Sequence, residues 1–219
     1  MAAQDLELYS GRLNAEQIAA GMNAARQNAA RLLADAQLLL NAGRYPTAAS
    51  IAILCIEEAG RISLLRRMAT CKDEAERGEV WKEYRSDRCK SRRAIVPSLV
   101  AQGLHHIDGL SNAFDVRTKQ SGTIDLLKHL GFYTDCLSDA DWSMPELIIE
   151  RQLAEQFIAI AHIASAGNDY RHTAKEIELW EAHMGPVMDK PFEWVRTAFA
   201  NWQRAMVEHG LMDARLDRS

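Results

Sequence analysis

Residues 14–68 carry the pattern that most restricts the fold. Apolar residues across 18–39 recur at steps of three and four, which is the spacing of one face of an α-helix. Asn14 begins a capping box ahead of this run, and Gly43 is suited to the left-handed cap behind it. Since Pro46 can open a second helix after so short a link, the sequence predicts a tight antiparallel helix pair.

The second helix of the pair, predicted over about residues 47–68, is apolar nearly all round at 48–56 and should be surrounded by other helices. No segment shows strand alternation. Glycine, proline and capping patterns predict five more helices. They run through 79–96 to just before Pro97, at about 123–131, from the capping box at Ser143 to Ser165, from Thr173 with Glu176 to Met184, and from Pro191 to Gly210. The last of these helices is predicted to bury a stripe of Phe192, Val195, Phe199, Trp202 and Met206.

These elements predict an all-α fold, a single-domain bundle of about six or seven helices over residues 1–212. A chain of 219 residues that is 47% hydrophobic and 26% charged can bury one substantial core. Residues 213–219, DARLDRS, are expected to form a disordered tail.

Charge and cysteine usage limit the partners and the compartment. The formal net charge of -4 gives no overall attraction to nucleic acid, and we expect no DNA partner. The four cysteines contain no C-x-x-C pair and are interpreted as reduced thiols. No run approaches the roughly 18 apolar residues of a membrane span. A cytoplasmic protein without membrane contact is expected.

The common catalytic motifs are absent. None of the seven histidines has a glutamate three residues before it, as a di-metal bundle site would require, and no H-E-x-x-H, G-x-S-x-G or glycine-rich nucleotide loop occurs. His105 and His106 are interpreted as a surface pair. We therefore expect neither a metal nor another cofactor, and a small-molecule enzyme has no supporting motif.

The densest charge signal lies between Trp81 and Arg93. From Arg85 to Arg93, five basic residues against Asp87 give a local charge of +4. At helical spacing one stripe carries Trp81, Arg85, Arg88 and Arg92, with Lys90 nearby. Such a stripe can contact an RNA backbone through bidentate phosphate binding and stacking, but on spacing alone it is more commonly a solvated helix face.

Glu57, Glu58 and Arg61 stand at the polar end of the apolar second helix. Carboxylates in such surroundings need cationic partners to remain ionised, and the basic stripe is the natural source. Two interpretations stay open, a structural buried ion pair and an active site.

At these residues the sequence resembles the AbiV family of abortive-infection proteins, grouped with the HEPN superfamily of helical domains. The resemblance covers roughly residues 25–185 and rests on the helix pair, on "WKEYRSDRCKSR", on "LLKHLGFYTD" and on Pro145 opening a long helix. Its most specific part is the E-E-x-G-[KR] element at 57–61.

The resemblance implies a homodimer that cuts RNA without a metal, by directing a ribose 2′-hydroxyl at its own phosphodiester. By this reading Arg85, Asp87 and Glu58 are the catalytic candidates. RNA or a partner would be bound by Glu57, Arg61, Trp81, Arg88, Lys90 and Arg92. The sequence departs from the family pattern at Asp87, where a histidine is expected.

The resemblance also implies an R-x4–6-H motif for RNA cleavage. One R-x4-H motif occurs, at Arg204 and His209 near the end of the last helix and outside the region of resemblance, and it is a second candidate catalytic pair. Two hypotheses follow. The chain is an antiphage effector that acts on RNA, or it is a non-catalytic module of the same fold that binds a phage or host protein. The arginine stripe favours the first hypothesis, and Asp87 favours the second.

Overall fold

The computed structural model of the protein describes residues 7–86, 121–137, 140–165 and 170–213. Over these ranges the chain forms eight α-helices and one very short hairpin, so the predicted all-α fold class is confirmed. In chain order the elements are α1 (Ala15–Asn41), α2 (Tyr45–Met68), α3 (Glu74–Arg85), α4 (Ser121–Leu130), β1 (Cys136–Leu137), β2 (Asp141–Trp142), α5 (Pro145–Ile148), α6 (Arg151–Ala164), α7 (Ala174–Met184) and α8 (Phe192–Glu208).

Both ends of α1 have the predicted geometry. The Gln17 backbone N–H donates to Asn14 Oδ1 at 2.8 Å, and the Asn14 N–H donates to Gln17 Oε1 at 2.9 Å. At the other end Gly43 has φ +72°, and the Arg44 N–H donates to the carbonyl of Leu39 at 2.9 Å. This is the glycine-dependent helix stop, and α2 begins only two residues later.

The chain divides into two compact units, and α1 and α2 contribute residues to both. The first unit contains Met1–Gly21, Leu65–Arg85 and His172–Ser219, and the second contains Met22–Leu64 and Ser86–Arg171. Both units have buried hydrophobic residues.

The second unit has a core rich in alanine. Ala36, Ala52 and Ala161, from α1, α2 and α6, are 0% exposed and belong to one cluster with larger residues such as Ile53 and Phe157. Because alanine side chains are short, helices that meet at them approach closely. The apolar 48–56 stretch lies in this cluster, as expected of a central helix.

The first unit buries larger side chains. Ile18, Leu65, Val80, Ile177 and Met206 are each no more than 3% exposed, and they come from five different helices. α7 and α8 contact each other. A single turn of 3-10 helix, Gly185–Val187, follows α7.

The helix predicted from Ser143 to Ser165 is two helices. Ser143 does not cap it: the N-cap is Met144 without a side-chain bond, and the Ser143 hydroxyl accepts from the Asp135 N–H at 2.6 Å instead. After one turn the backbone of Ile149 is extended, with φ -113° and ψ 100°. This break turns the Ile149 side chain into the core, where it is 1% exposed.

The stripe predicted to be buried along α8 is buried only in its second half. Trp202 and Met206 are 5% and 1% exposed, as predicted, but Phe192 and Phe199 are 74% and 40% exposed, so the prediction is wrong for these two rings. Helical spacing alone does not tell which turns of a helix a neighbour covers.

Three other predicted elements differ in part. α3 begins at Glu74, earlier than predicted, and the rest of the predicted helix, to residue 96, lies outside the described residues. β1 and β2 pair antiparallel in a stretch predicted as loop, with Cys136 opposite Trp142, and two-residue strands are too short to show alternation. Of the tail predicted at 213–219, only Asp213 is described.

Gly131 offers a test of packing in the second unit. A Cβ at this position would meet Ser50 Oγ inside contact distance, the Pro46 carbonyl at 2.8 Å and Ile149 Cδ1 at 3.1 Å. We expect Gly131→Ala to lower the free energy of unfolding by about 2 kcal/mol, since the backbone must move. The measurement is denaturant unfolding.

Gly78→Ala is the control for this substitution. Gly78 lies inside α3 and a Cβ there meets nothing within 4 Å, so alanine should be neutral or stabilise by up to about 1 kcal/mol. Equal stability changes at Gly131 and Gly78 would contradict the close approach.

Candidate functional site

Glu57 is a buried carboxylate in the middle of α2. It is 4% exposed, and Lys128 Nζ from α4 lies 2.8 Å from its Oε1. The Lys128 side chain is itself only 16% exposed. A buried charge of this kind keeps its ionised form only with a close counter-charge, and Lys128 supplies it.

A second contact holds α4 beside α2 at the same place. Ser50 Oγ lies 3.1 Å from the Lys128 carbonyl oxygen and 3.1 Å from the Pro46 carbonyl oxygen, so its hydroxyl is positioned to donate to either. Lys128 is therefore positioned through its backbone as well as its ammonium group, and the ion pair with Glu57 is ordered from both sides.

Glu58 has its own cation on the same helix. Arg61 Nε lies 3.4 Å from Glu58 Oε2, and the two side chains are 31% and 13% exposed. Residues three apart are neighbours on a helix, so α2 itself supplies this pair. Lys128 and Arg61 thus pair with Glu57 and Glu58, and neither of these two cations belongs to the basic stripe that was predicted as their source.

Arg85, at the end of α3, is exposed and held by the N-terminal segment. Its Nη2 donates to the Tyr9 carbonyl at 2.5 Å, and its guanidinium carbon lies 4.9 Å from the centroid of the Trp81 ring. Trp81 is 7% exposed and donates its indole N–H to the Gly11 carbonyl at 3.1 Å. Arg85 therefore packs against Trp81, the aromatic residue that begins the stripe.

The remaining members of the predicted site are not described. Asp87, Arg88, Lys90 and Arg92 lie outside the described residues, as does the His105 and His106 pair. Their part in a site stays a prediction.

In the R-x4-H motif at the end of α8, each of the two residues makes a contact within its own helix. Arg204 Nη1 donates to Asn201 Oδ1 at 3.4 Å, and His209 Nδ1 lies 2.8 Å from the Ala205 carbonyl. Both residues are exposed. In the described part of the chain no hydrogen bond or ion pair joins Arg204 to His209.

A cluster absent from the sequence predictions lies in the first unit. Glu176 on α7 is 1% exposed, and its carboxylate lies 2.7 Å from Arg66 Nη2 and 2.9 Å from His172 Nδ1. The Arg66 guanidinium carbon also lies 5.2 Å and 5.8 Å from the ring centroids of Trp180 and Trp202. One carboxylate thus holds an arginine and a histidine beside two indole rings.

The surroundings of Glu176 favour its charged form. Burial on its own would raise the pKa of this carboxyl, but the hydrogen bond with His172 and the charge of Arg66 outweigh burial and hold the pKa below its usual range. The Arg66 guanidinium is positioned for a cation–π contact with both rings as well. The cluster is built to neutralise buried charge.

This cluster was not predicted from the sequence, because Glu176 was assigned to the capping box at the start of α7. The backbone N–H of Glu176 does donate to Thr173 Oγ1 at 3.2 Å, so the predicted helix start is confirmed. The carboxylate instead contacts Arg66, which is 110 residues away along the chain. The one local signal was the spacing of His172 and Glu176, four residues apart at the start of a helix.

Metal-binding and membrane features were searched over the described ranges. There, no group of three or more His, Cys, Asp or Glu side chains is arranged to hold a metal ion. No described helix is both long and apolar enough to cross a membrane. Cys55, Cys71 and Cys136 are free thiols in the structure.

A comparison with known protein families shows which family the chain belongs to. A family model of the HEPN group described as AbiV matches residues 17–166. The chain belongs to the AbiV family. No curated protein and no solved structure matches it.

The AbiV match divides the candidate residues. The Glu57–Lys128 and Glu58–Arg61 pairs fall inside it, together with Arg85. His172, Glu176, Arg204 and His209 fall after it. The part of this AbiV-family chain that defines the family therefore contains the paired carboxylates of α2 and the arginine at the end of α3.

We expect Glu176→Gln to destabilise the protein in a pH-dependent way. At pH 7 the neutral amide leaves Arg66 without its buried counter-charge, and the free energy of unfolding should fall by about 3 kcal/mol. Because the pKa of Glu176 is lower in the folded chain, the stabilisation is present above the ordinary glutamate pKa of about 4.3 and is lost as the pH falls through the lowered pKa.

Denaturant unfolding of wild type and variant from pH 7 down to pH 3 measures this effect. The difference between the two stabilities should narrow as the pH falls below the ordinary glutamate pKa. Glu178→Gln is the matched control, since Glu178 lies on the same helix, is 57% exposed and pairs with Lys175 at 3.7 Å. A stability gap for E176Q that stays constant over this pH range would contradict the assignment.

Proposed function

We propose that this AbiV-family chain is an antiphage abortive-infection effector of HEPN type that cleaves RNA without a metal ion. The observation that carries the proposal is the AbiV match over residues 17–166, which is more than half of the chain. RNA, and no DNA, is the proposed nucleic-acid partner, because cleavage of this type uses the ribose 2′-hydroxyl.

In the proposed reaction the RNA supplies its own nucleophile. A base takes the 2′-hydroxyl proton, the 2′ oxygen forms a bond to the adjacent phosphorus, and the bond from phosphorus to the 5′ oxygen breaks as that oxygen gains a proton. The products are a 2′,3′-cyclic phosphate and a 5′-hydroxyl. No oxidant, cofactor or metal enters this balance.

Arg85 is the proposed stabiliser of the charge that develops on the phosphate oxygens. Arg85 is exposed, its guanidinium lies against Trp81, and it donates one hydrogen bond to the Tyr9 carbonyl. Since a guanidinium carries five N–H donors, others remain to bind a phosphate. Asp87 is the proposed base, and Glu58 is proposed to orient the neighbouring cations.

A second candidate function is supported by two observations. Asp87 occupies the position at which the family resemblance implies a histidine, and Glu57 and Glu58 already pair with Lys128 and Arg61. Carboxylates engaged in this way serve the fold. By the second proposal the chain protects by binding a phage or host protein, with no cleavage of RNA.

We expect Arg85→Ala to abolish most antiphage protection while changing stability by less than about 1 kcal/mol. The contacts of Arg85 are made at the surface, where truncation costs little, but a planar bidentate phosphate contact has no replacement in alanine. Arg85→Lys should rescue only in part, because an ammonium group supplies charge without the fork. The measurements are plaquing efficiency at matched soluble expression and melting temperature.

The control for Arg85→Ala is Arg31→Ala, which removes a surface arginine that is 61% exposed and pairs with Asp35 at 2.9 Å. This variant should protect like wild type. Full protection by R85A would refute the role of Arg85. Loss of folding in both R85A and R85K would make Arg85 a structural residue.

RNA integrity in the same infected cells separates the two proposals. Cleavage predicts fragments with cyclic phosphate ends in cells that carry the wild type and intact RNA in cells that carry R85A. Protection with intact RNA in the wild type would overturn the ribonuclease and favour the binding module.

We also propose that the chain forms a homodimer, with the face of α8 that carries Phe192 and Phe199 as a contact surface. The two rings stand seven residues apart, on the same side of the helix, and are 74% and 40% exposed. Exposed aromatic groups of this size commonly mark an interface.

Light scattering at micromolar concentration should give twice the chain mass of 24.6 kDa. Phe192→Ser should shift the mass toward the monomer. Leu147→Ser, at a residue that is 81% exposed in the second unit, is the matched control and should leave the dimer intact. A monomeric wild type would contradict the homodimer.

A further inference from the structure

A cavity of about 460 Å³ lies within the first unit. Its lining comes from the start of α1, the end of α2, the start of α3 and α7. The volume falls in the range of roughly 300–1,000 Å³ that is typical of small-molecule sites. None of the residues assigned to RNA cleavage lines it.

Two arginines line this cavity without an acidic partner. Neither Arg12 nor Arg77 makes a side-chain hydrogen bond or ion pair within the described part of the chain. Other arginines of the same unit are engaged: Arg66 pairs with Glu176 at 2.7 Å, and Arg67 pairs with Glu83 at 3.0 Å. Two guanidinium groups without an ion-pair partner at one cavity attract an anion, and a guanidinium group binds phosphate through paired N–H donors.

The rest of the lining limits which anion fits. Ile18, Met68 and Ile177 are buried residues that give one part of the cavity an apolar surface. Glu181 contributes a carboxylate that has no ion-pair partner among the described residues. A bare phosphate ion would leave both the apolar surface and this hydrogen-bond acceptor unused.

We propose that this cavity binds a nucleotide through its phosphate group. The guanidinium groups of Arg12 and Arg77 hold the phosphate, the apolar lining contacts the base, and Glu181 accepts a hydrogen bond from a ribose hydroxyl or a base amino group. The site is independent of RNA cleavage, because it uses none of the residues proposed for that reaction.

The same chemistry has two sources, a free mononucleotide and the phosphorylated end of an RNA strand. Calorimetric titration of the full chain with AMP, adenosine, inorganic phosphate and a 5′-phosphorylated RNA tetranucleotide separates them. We expect AMP to bind at least about tenfold more tightly than adenosine or phosphate, since each of these lacks one half of the contacts. A tetranucleotide that binds more tightly than AMP identifies the strand end as the source, and a weaker one identifies the free nucleotide.

Substitutions assign the binding to this cavity. Arg12→Gln and Arg77→Gln should each weaken AMP about tenfold or more. Glu181→Gln should reduce the preference for AMP over phosphate, because it removes a charged hydrogen-bond acceptor from the nucleoside contacts and a like charge that repels phosphate. Arg44→Gln is the matched control, since Arg44 is an exposed arginine in the turn between α1 and α2 and does not line the cavity. Circular dichroism confirms that each variant is folded, and Arg12→Lys or Arg77→Lys, which keeps the charge without the planar fork, replaces the corresponding glutamine variant if that variant is not folded.

Three results would overturn the nucleotide site. They are an absence of AMP and tetranucleotide binding to the folded wild type, AMP affinity that the Arg12 and Arg77 variants leave unchanged, and equal affinity for AMP and inorganic phosphate. Each is independent of plaquing efficiency and RNA integrity, so failure here is distinguishable from failure of the proposed effector function.

Discussion

The packing of the second unit depends on neutralising a carboxylate inside an apolar helix. Glu57 lies on α2 close to fully buried isoleucines and alanines, and Lys128 Nζ, 2.8 Å from its carboxylate, supplies a counter-charge. That ammonium group arrives on α4, whose backbone is held at Ser50, and the chain then leaves α4 through Gly131. The need to neutralise one buried charge therefore accounts for how closely α4 approaches α2.

The first unit solves the same problem with different residues. Glu176 is even more buried than Glu57, and it is neutralised by Arg66 together with His172. The indole rings beside Arg66 cover a guanidinium that would otherwise keep water. In both units, then, a buried glutamate fixes the position of a cation from a distant part of the chain.

Helix positions were predictable because their causes are local. The caps at Asn14, Gly43 and Thr173 depend on residues within a few positions, and each is found as predicted. The break at Ile149 was not predictable, since its cause is the burial of that side chain against helices distant in sequence. Exposure of Phe192 and Phe199 has the same origin, because a helix pattern does not record what covers it.

The candidate site was predictable only where its pairs are local. Glu58 and Arg61 stand three residues apart, and Trp81 and Arg85 four apart, so helix geometry brings each pair together. Glu57 and Lys128 are 71 residues apart, and Arg66 and Glu176 are 110 apart. A single sequence indicates that a buried carboxylate needs a cation, but it does not indicate which cation arrives.

Whether an arginine already has a partner decides where ligand binding is plausible. Arg61 and Arg66 are committed to carboxylates of their own unit, so moving them to a ligand would leave a buried or half-buried acid unpaired, at a cost of several kcal/mol. Arg85 is bound by a neutral carbonyl and an aromatic ring, and Arg12 and Arg77 make no ion pair in the described part of the chain. An anion that meets these arginines displaces water and breaks no internal salt bridge. Binding the anion therefore does not destabilise the fold. The presence or absence of an internal ion-pair partner, more than the local density of basic residues, separates the arginines that stabilise the protein from those available for function.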